Sequence, residues 1–320
     1  MNYLLKVDNL SVDYRTRSGL VSAVDDVSFT MGRGEVLGLV GESGSGKSTV
    51  GLSILRILPE NAVVKGSIMF EGRNILEIDE EEMRATRGKS ISIIFQDPSS
   101  HLNPLFTVGQ HILDVMRAHL GKNSVELRKE AIKMLSMVGL PDPERVMGLY
   151  PHELSGGMQQ RAMIAIALST KPKLLIADEP TTAVDVTIQA QIIDLMLDLR
   201  RKLRLSVLFI THNLALISDI ADRIAIMYAG NIVEIGRRED VLNSPLHPYT
   251  KGLLESIPKI ESTRSGRLNY IPGFIPNLAN PPPGCRFSTR CPYATEKCRF
   301  VKPQPYSEGG HTVYCHLYGE

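Results

Sequence analysis

The chain carries no excess charge of either sign. Its 320 residues hold 36 Lys and Arg against 35 Asp and Glu, so no overall field draws it to nucleic acid or anionic lipid, though local basic patches stay open. No apolar run approaches the roughly 18 residues that a membrane-spanning helix needs. The longest, such as Ala162 to Leu168, fit a buried helix or strand. The opening Met1-Asn-Tyr-Leu-Leu-Lys-Val-Asp8 lacks an apolar h-region, so a secretion signal is not expected. Cysteine is missing before Cys285, and there is no internal repeat or low-complexity tract. What remains is a chain long enough for two or three lobes and at least one sizeable core. Any membrane role must come through a partner.

Against these absences stands Gly41-Glu-Ser43-Gly44-Ser45-Gly46-Lys47-Ser48-Thr49. It follows the apolar run Val36 to Val40 and precedes a helix-like stretch from Val50 to Leu58. This is the GxxxxGKS phosphate loop in its strand–loop–helix setting. Glycines let backbone N–H groups curl around phosphate oxygens, Lys47 reaches the β/γ-phosphates, and the Ser48 hydroxyl ligates Mg²⁺. The chain is expected to handle a nucleoside triphosphate.

Val7 to Tyr14 and Ala23 to Phe29 alternate apolar and polar residues, as half-buried antiparallel edge strands do. Val36–Val40, Ile91–Phe95, Leu174–Ala177, Val207–Ile210 and Ile224–Met227 are continuous apolar runs, the pattern of a parallel sheet covered on both faces. Ile188, Ile192, Leu195 and Leu199 fall on one helical face, the crossover that parallel strands require. Residues 98 to 170 lack strand signals and read as an all-helical insertion, Val125 to Val138 being one helix. Asp79 to Glu82 reads as a solvated acidic first turn. Composition changes late: eight of the 19 prolines lie between Ile271 and Pro305, and Cys285, Cys291, Cys298 and Cys315 crowd into 31 residues. A boundary near Gly236 to Arg238 is expected, followed by a loop-rich module.

Leu174-Leu-Ile-Ala-Asp178-Glu179 is an apolar strand ending in two carboxylates. Asp178 is placed to hold Mg²⁺ through its water shell, and Glu179 to accept a proton from water attacking the γ-phosphate. His212 follows the strand Val207 to Thr211. A lone His there is usually structural, but the same sheet edge puts it near the γ-phosphate as a donor. Gln96 closes another strand and can ligate Mg²⁺ and position water; a surface glutamine is the alternative. Leu154-Ser155-Gly156-Gly157-Met158 opens a helix to Leu168 with an anion-seeking N-terminus. The chain already has a phosphate loop, so this second helix end is read as binding the γ-phosphate held by another copy.

Together the motifs from Gly41 to His212 resemble the ATPase subunit of ATP-binding-cassette (ABC) transporters. The resemblance implies a P-loop NTPase α/β core with an antiparallel β edge subdomain over 1–97 and 171–236. A helical signature subdomain covers 98–170, and a small Cys-rich C-terminal module 237–320. It further implies head-to-tail dimers with ATP occluded at the interface. Ser155, Gly156 and Gly157 then act across the dimer, Gln96 couples ATP to a permease, and Asp185 lies in the loop linking both sites. Tyr14 matches the aromatic that stacks on adenine; a plain strand aromatic is the alternative. Met158 stands where the family usually has Gln and points to the oligopeptide and dipeptide importer branch. Gln96 to Pro104, Ser244 to Thr250 and Gly284 to Pro292 resemble that branch as well.

The four cysteines, spaced C-x₅-C-x₆-C-x₁₆-C, suggest a metal centre more than disulfides. Four thiolates suit zinc or an iron–sulfur cluster. The wide spacing is similar to that of peptide-importer subunits carrying a 4Fe-4S cluster; zinc, free thiols and a disulfide remain open. His311 and His316 read as surface residues.

The expectation is an ATP-hydrolysing, Mg²⁺-dependent importer subunit, peripheral on the cytoplasmic face of the membrane. Its partners are a second cassette (self or related), two permease subunits and, indirectly, an external solute-binding protein, with no nucleic acid. The alternatives are an importer for oligosaccharide or metal complex, a non-transport ABC ATPase, and an iron–sulfur carrier or sensor.

Overall fold

Alternating and continuous apolar patterns become two kinds of strand in the structure, a computed structural model that describes residues 3–17, 19–182, 185–257 and 270–319. In chain order the strands are β1 (Leu5–Thr16), β2 (Gly19–Met31), β3 (Val36–Val40), β4 (Ala62–Phe70) and β5 (Arg73–Asn74). β6 (Ile91–Ile94), β7 (Leu174–Asp178), β8 (Ser206–Thr211) and β9 (Arg223–Tyr228) follow, then β10 (Asn231–Arg237), β11 (Pro305–Glu308) and β12 (His311–Tyr314). The chain divides into two compact units. Among the described residues no helix is long and apolar enough to cross a membrane.

One unit comprises Met1–Met31, Val36–Leu76 and Ile210–Glu320. Within it β1 pairs antiparallel with β2 and β4, and β5 extends the sheet. Leu5, Val7, Leu10 and Val12 of β1 are all buried, although strict alternation would put the two pairs on opposite faces. The register shifts beside Asp8 and Asn9, where Asn9 has φ 49°. That bulge returns both pairs to the core. β3 pairs parallel with β9 from Leu37 opposite Arg223 to Val40 opposite Ile226. β10, β12 and β11 continue antiparallel from β9. All five residues of β3 are buried, as continuous apolar strands require.

The boundary expected near Gly236 to Arg238 lies at the end of β10, and the segment beyond returns to that strand, Val313 lying opposite Glu234. Glu234 is fully buried. Its carboxylate accepts from the backbone N–H groups of Leu246 (2.8 Å) and His247 (2.9 Å) and pairs with His311 Nε2 (2.7 Å). His311 is therefore a core residue, 8 % exposed, which corrects the surface assignment made from sequence. Pairing of β12 with β10 carries it inward to a carboxylate. His316 is half-buried and donates from Nε2 to the Val301 carbonyl (2.8 Å). Tyr228, Tyr249 and Phe287 form a buried aromatic cluster with centroids 4.7, 5.1 and 5.4 Å apart. Such pairs add about 0.5–1.5 kcal/mol each beyond area burial.

The other unit comprises Gly32–Glu35 and Glu77–Phe209. β6 and β7 pair parallel, Ile91 opposite Leu174 to Ile94 opposite Ala177, and β8 begins beside β7. Residues 98–170 hold no strand, as the missing strand signals predict. The helices there start on side-chain caps: Thr107 with Gln110 in a capping box, Asn123, Asp142 and Ser155. In the Val186–Leu203 helix Ile192, Met196 and Leu199 are buried, and Arg200 donates to the Gly34 carbonyl through Nε (3.1 Å) and Nη2 (2.9 Å).

Replacing Glu234 with Ala leaves the half-buried Leu246 and buried His247 N–H groups without their acceptor. Hydrogen bonds to charged groups contribute about 1.5–3 kcal/mol each, so chemical denaturation of this variant is expected to show a loss of about 3 kcal/mol or more. A second expectation concerns acid. Burial, with Lys251 adding to it, pushes the His247 imidazole down to about 3. The folded chain keeps it neutral while the unfolded chain takes up a proton below pH ~6.5. Its contribution is therefore complete above that pH and is lost progressively as pH falls towards about 3. The midpoint of thermal unfolding measured from pH 7.5 to 5 should fall less steeply in His247→Asn than in the parent.

Candidate functional site

The phosphate loop is built by close approach. A Cβ on Gly41 would lie 2.0 Å from the Met227 carbonyl oxygen, and one on Gly46 (φ 96°) would lie 2.3 Å from that of Ala23. Only glycine fits at either point. Gly46 also serves as the left-handed N-cap of the Lys47–Leu55 helix and supplies no side-chain acceptor to its first turn, the arrangement of a helix N-terminus that receives an anion. Lys47 is buried, with Nζ donating to the carbonyls of Gly41 (2.8 Å) and Glu42 (2.9 Å) and to Ser45 Oγ (3.4 Å). Ser45 is buried, whereas Ser43, Gly44 and Ser48 are exposed along the loop and Thr49 is half-buried. Tyr14 Oη lies 3.3 Å from Thr49 Oγ1, so the β1 aromatic and the phosphate-loop helix belong to one site. His212, in the same unit, is exposed just past the end of β8.

In the other unit Asp178 ends β7 and is 8 % exposed. Glu179 follows it with φ 45°, a left-handed conformation that costs a non-glycine residue about 1–2 kcal/mol. Its Oε2 accepts from Gln96 Nε2 (3.1 Å) and from Thr182 Oγ1 (2.9 Å). The two residues singled out at separate strand ends thus meet directly. Ser155 caps the Gly156–Leu168 helix, accepting from the Met158 amide at 3.4 Å; Ser155 and Gly156 are exposed and Gly157 is half-buried. Gly157 packs where a Cβ would come within 3.2 Å of Ile188. Asp185 caps the Val186–Leu203 helix through the Ile188 amide (2.9 Å); residues 183 and 184, which complete the loop before it, lie outside the described residues.

Cys285, Cys291, Cys298 and Cys315 line one cavity of about 40 Å³ with His247, Phe287 and His316. None is in a disulfide. Burial pushes the Cys285 thiol up to about 12, with the other three sulfurs adding to it. Burial also raises Cys291 and Cys315. A nest of thiols that resist ionising alone suits a cationic group that would bind their thiolates. Among the described residues no three His, Cys, Asp or Glu are arranged to hold a metal ion.

Sequence reading missed the partners of Glu42, the second residue of the phosphate loop. Its amide donates to Tyr249 Oη (3.1 Å), and its carboxylate accepts from Arg290 Nη1 at 3.1 and 3.0 Å. Nor did it find Arg286, which reaches Asp25 Oδ2 (3.0 Å) and the Ala229 carbonyl (2.6 Å). No local signal marks either pair, since the partners of Glu42 lie 207 and 248 residues away.

Comparison with known proteins fits this geometry. The family described as ABC transporter matches residues 24–182, and the oligopeptide/dipeptide transporter C-terminal region matches 233–298. The dipeptide transport ATP-binding protein DppD of Haemophilus influenzae is 46 % identical over 314 residues, covering 98 % of this chain and 95 % of the relative. The oligopeptide transport ATP-binding protein OppD of the same organism is 44 % identical over 320 residues, covering 100 % and 99 %. The ATP-binding cassette MJ0796, solved as a post-hydrolysis dimer bound to ADP and phosphate, superposes with a TM-score of 0.65 at 27 % identity, over 73 % of this chain and 98 % of that one. With a phosphate loop, a carboxylate pair ending a buried strand and 44 to 46 % identity to these relatives over nearly its whole length, the chain belongs to the ABC transporter ATPases, in the group that carries the oligopeptide/dipeptide transporter C-terminal region.

Proposed function

We propose that the chain hydrolyses ATP to power import of oligopeptides or dipeptides through a partner permease, from the cytoplasmic face of the membrane. The relatives named for dipeptide and oligopeptide transport support this substrate class. The ATP-binding core takes 1–97 and 171–236, the helical subdomain 98–170 and the C-terminal module 237–320. Two cassettes, this chain with a second copy or a related one, close on ATP and reopen after hydrolysis. Two permease subunits convert that cycle into transport, and an external solute-binding protein delivers the peptide.

The observation that carries the mechanism is Glu179 held by Gln96 and Thr182. Lys47 and the loop amides from Ser43 to Thr49 take the phosphates, and Tyr14 takes the base. Mg²⁺ would be held by Ser48, Gln96 and Asp178 and would neutralise charge on the β- and γ-phosphates. Glu179 accepts the proton of the in-line water, and its two fixed hydrogen bonds aim the carboxylate before reaction. His212 donates to the γ-phosphate as charge develops. Ser155, Gly156 and Gly157 close the site from the opposing subunit with the open amides of a 13-residue helix. Asp185 lies beside that interface and orders the helix it caps. Cys285, Cys291, Cys298 and Cys315 would hold a 4Fe-4S cluster, which when bound would cross-link a proline-rich segment that has little apolar core of its own.

Glu179→Gln is expected to bind ATP but to turn over roughly 10²–10⁴-fold more slowly, accumulating as ATP-bound dimers on gel filtration. Parental turnover in that variant would remove Glu179 as the base. Protein purified without oxygen should be brown, with about four irons per chain and little zinc. A colourless, metal-free and fully folded product would end the cluster assignment.

A further inference from the structure

Glu42 is the only carboxylate within the phosphate loop, Gly41 to Thr49, and a carboxylate beside the triphosphate works against binding unless its charge and position are controlled. Every polar group of that residue is engaged. The carbonyl accepts from Lys47 Nζ (2.9 Å), the cation of the loop itself. The amide donates to Tyr249 Oη (3.1 Å), and the carboxylate takes Arg290 Nη1 on both oxygens. Neither partner is free to wander. Tyr249 is fully buried among aromatics. The Arg290 side chain is 5 % exposed, lies with its guanidinium 5.7 Å over the Tyr228 ring, and is tied to the carbonyls of Ile271 and Pro272 at 3.0 Å. The Glu42 side chain, at 30 % exposure, is the wetter end of the pair.

We propose that Tyr249 and Arg290 are positioning residues for ATP binding: a clamp from the C-terminal segment that fixes the phosphate loop and neutralises Glu42. The cassette of this chain is then incomplete without residues far beyond the nucleotide motifs. The clamp acts through Glu42 on the carbonyl that holds Lys47, so its loss weakens capture of the triphosphate and leaves the proton transfer at Glu179 untouched. It needs no occupant of the cysteine cavity, although Arg290 immediately precedes Cys291. The proposal rests on the loop's binding ATP, and the test separates the two.

The full-length protein is titrated with a fluorescent ATP analogue in Mg²⁺ buffer, and steady-state ATPase is measured alongside. Tyr249→Phe, which keeps the ring and removes only the acceptor of the Glu42 amide, is expected to weaken binding roughly five- to tenfold. Arg290→Ala should weaken it further, and adding Glu42→Gln should recover part of the loss by removing the uncompensated charge. In each variant KM rises with Kd while kcat stays within about threefold. A purely structural role would instead lower the unfolding midpoint and leave Kd within twofold, which overturns the clamp; so does a fall in kcat with Kd unchanged. Should Arg290→Ala fail to fold, Tyr249→Phe alone decides. Lys47→Ala is the control for the site: its loss of binding beside an unaffected Tyr249→Phe would sink the clamp and leave the ATP site standing. Parental affinity in Lys47→Ala would instead remove the ATP site, and the clamp with it.

Discussion

A backbone that turns its amides towards an anion must press its other side against something, and at Gly41 that something is the Met227 carbonyl. No side chain fits there, since a Cβ would sit 2.0 Å from the oxygen. Met227 lies in β9, which pairs with β3 just before the loop begins. The pairing that builds the sheet therefore also sets the curvature of the loop. Gly46 repeats the arrangement against the Ala23 carbonyl of β2. Strand packing therefore shapes the loop, whose amides converge while those carbonyls hold it from behind.

A comparable economy operates at Glu179. A left-handed non-glycine backbone is unfavourable, and here it lies directly after the fully buried Leu174–Asp178 strand. Two hydrogen bonds from Gln96 and Thr182 to one carboxylate oxygen offset that cost and fix the side chain's aim. Gln96 follows β6, the parallel neighbour of β7. The pair forms because parallel strands end on the same side, which is also why the carboxyl ends of such sheets collect functional groups.

Much of this was legible in the sequence because the relevant signals are local. Val36–Val40 and Leu174–Asp178 are apolar without interruption, and both are strands buried along their length. The phosphate loop and the helix after Ser155 follow from caps and glycines within a few residues. β4 and β10 were not legible. Lys65 and Gly66 interrupt the apolar pattern of β4 with an exposed turn of the strand, Gly66 at φ 96°. Glu234 interrupts β10 with a charge that belongs in water until Leu246, His247 and His311 surround it. His311 was misplaced for the same reason, since its partner lies 77 residues away. Contacts closed by tertiary structure leave no periodicity to read.

Contacts closed by tertiary structure also order the segment from Ile271 to Tyr314. Rich in proline and poor in large apolar residues, it cannot bury enough surface to order itself. Its two inward arginines solve the problem from outside. Arg286 inserts between Asp25, Ser22 and the Ala229 carbonyl, and Arg290 between Glu42 and Tyr228. Both stand beside cysteines of the shared cavity, Arg286 after Cys285 and Arg290 before Cys291. Desolvating a guanidinium is costly unless its hydrogen bonds are matched, and matching them demands that the loop between the two residues keep one shape. A group bound by the four sulfurs of that cavity would impose that shape. The arginines thus grip the nucleotide-binding unit, and a group bound by the cysteines would hold the loop between them rigid.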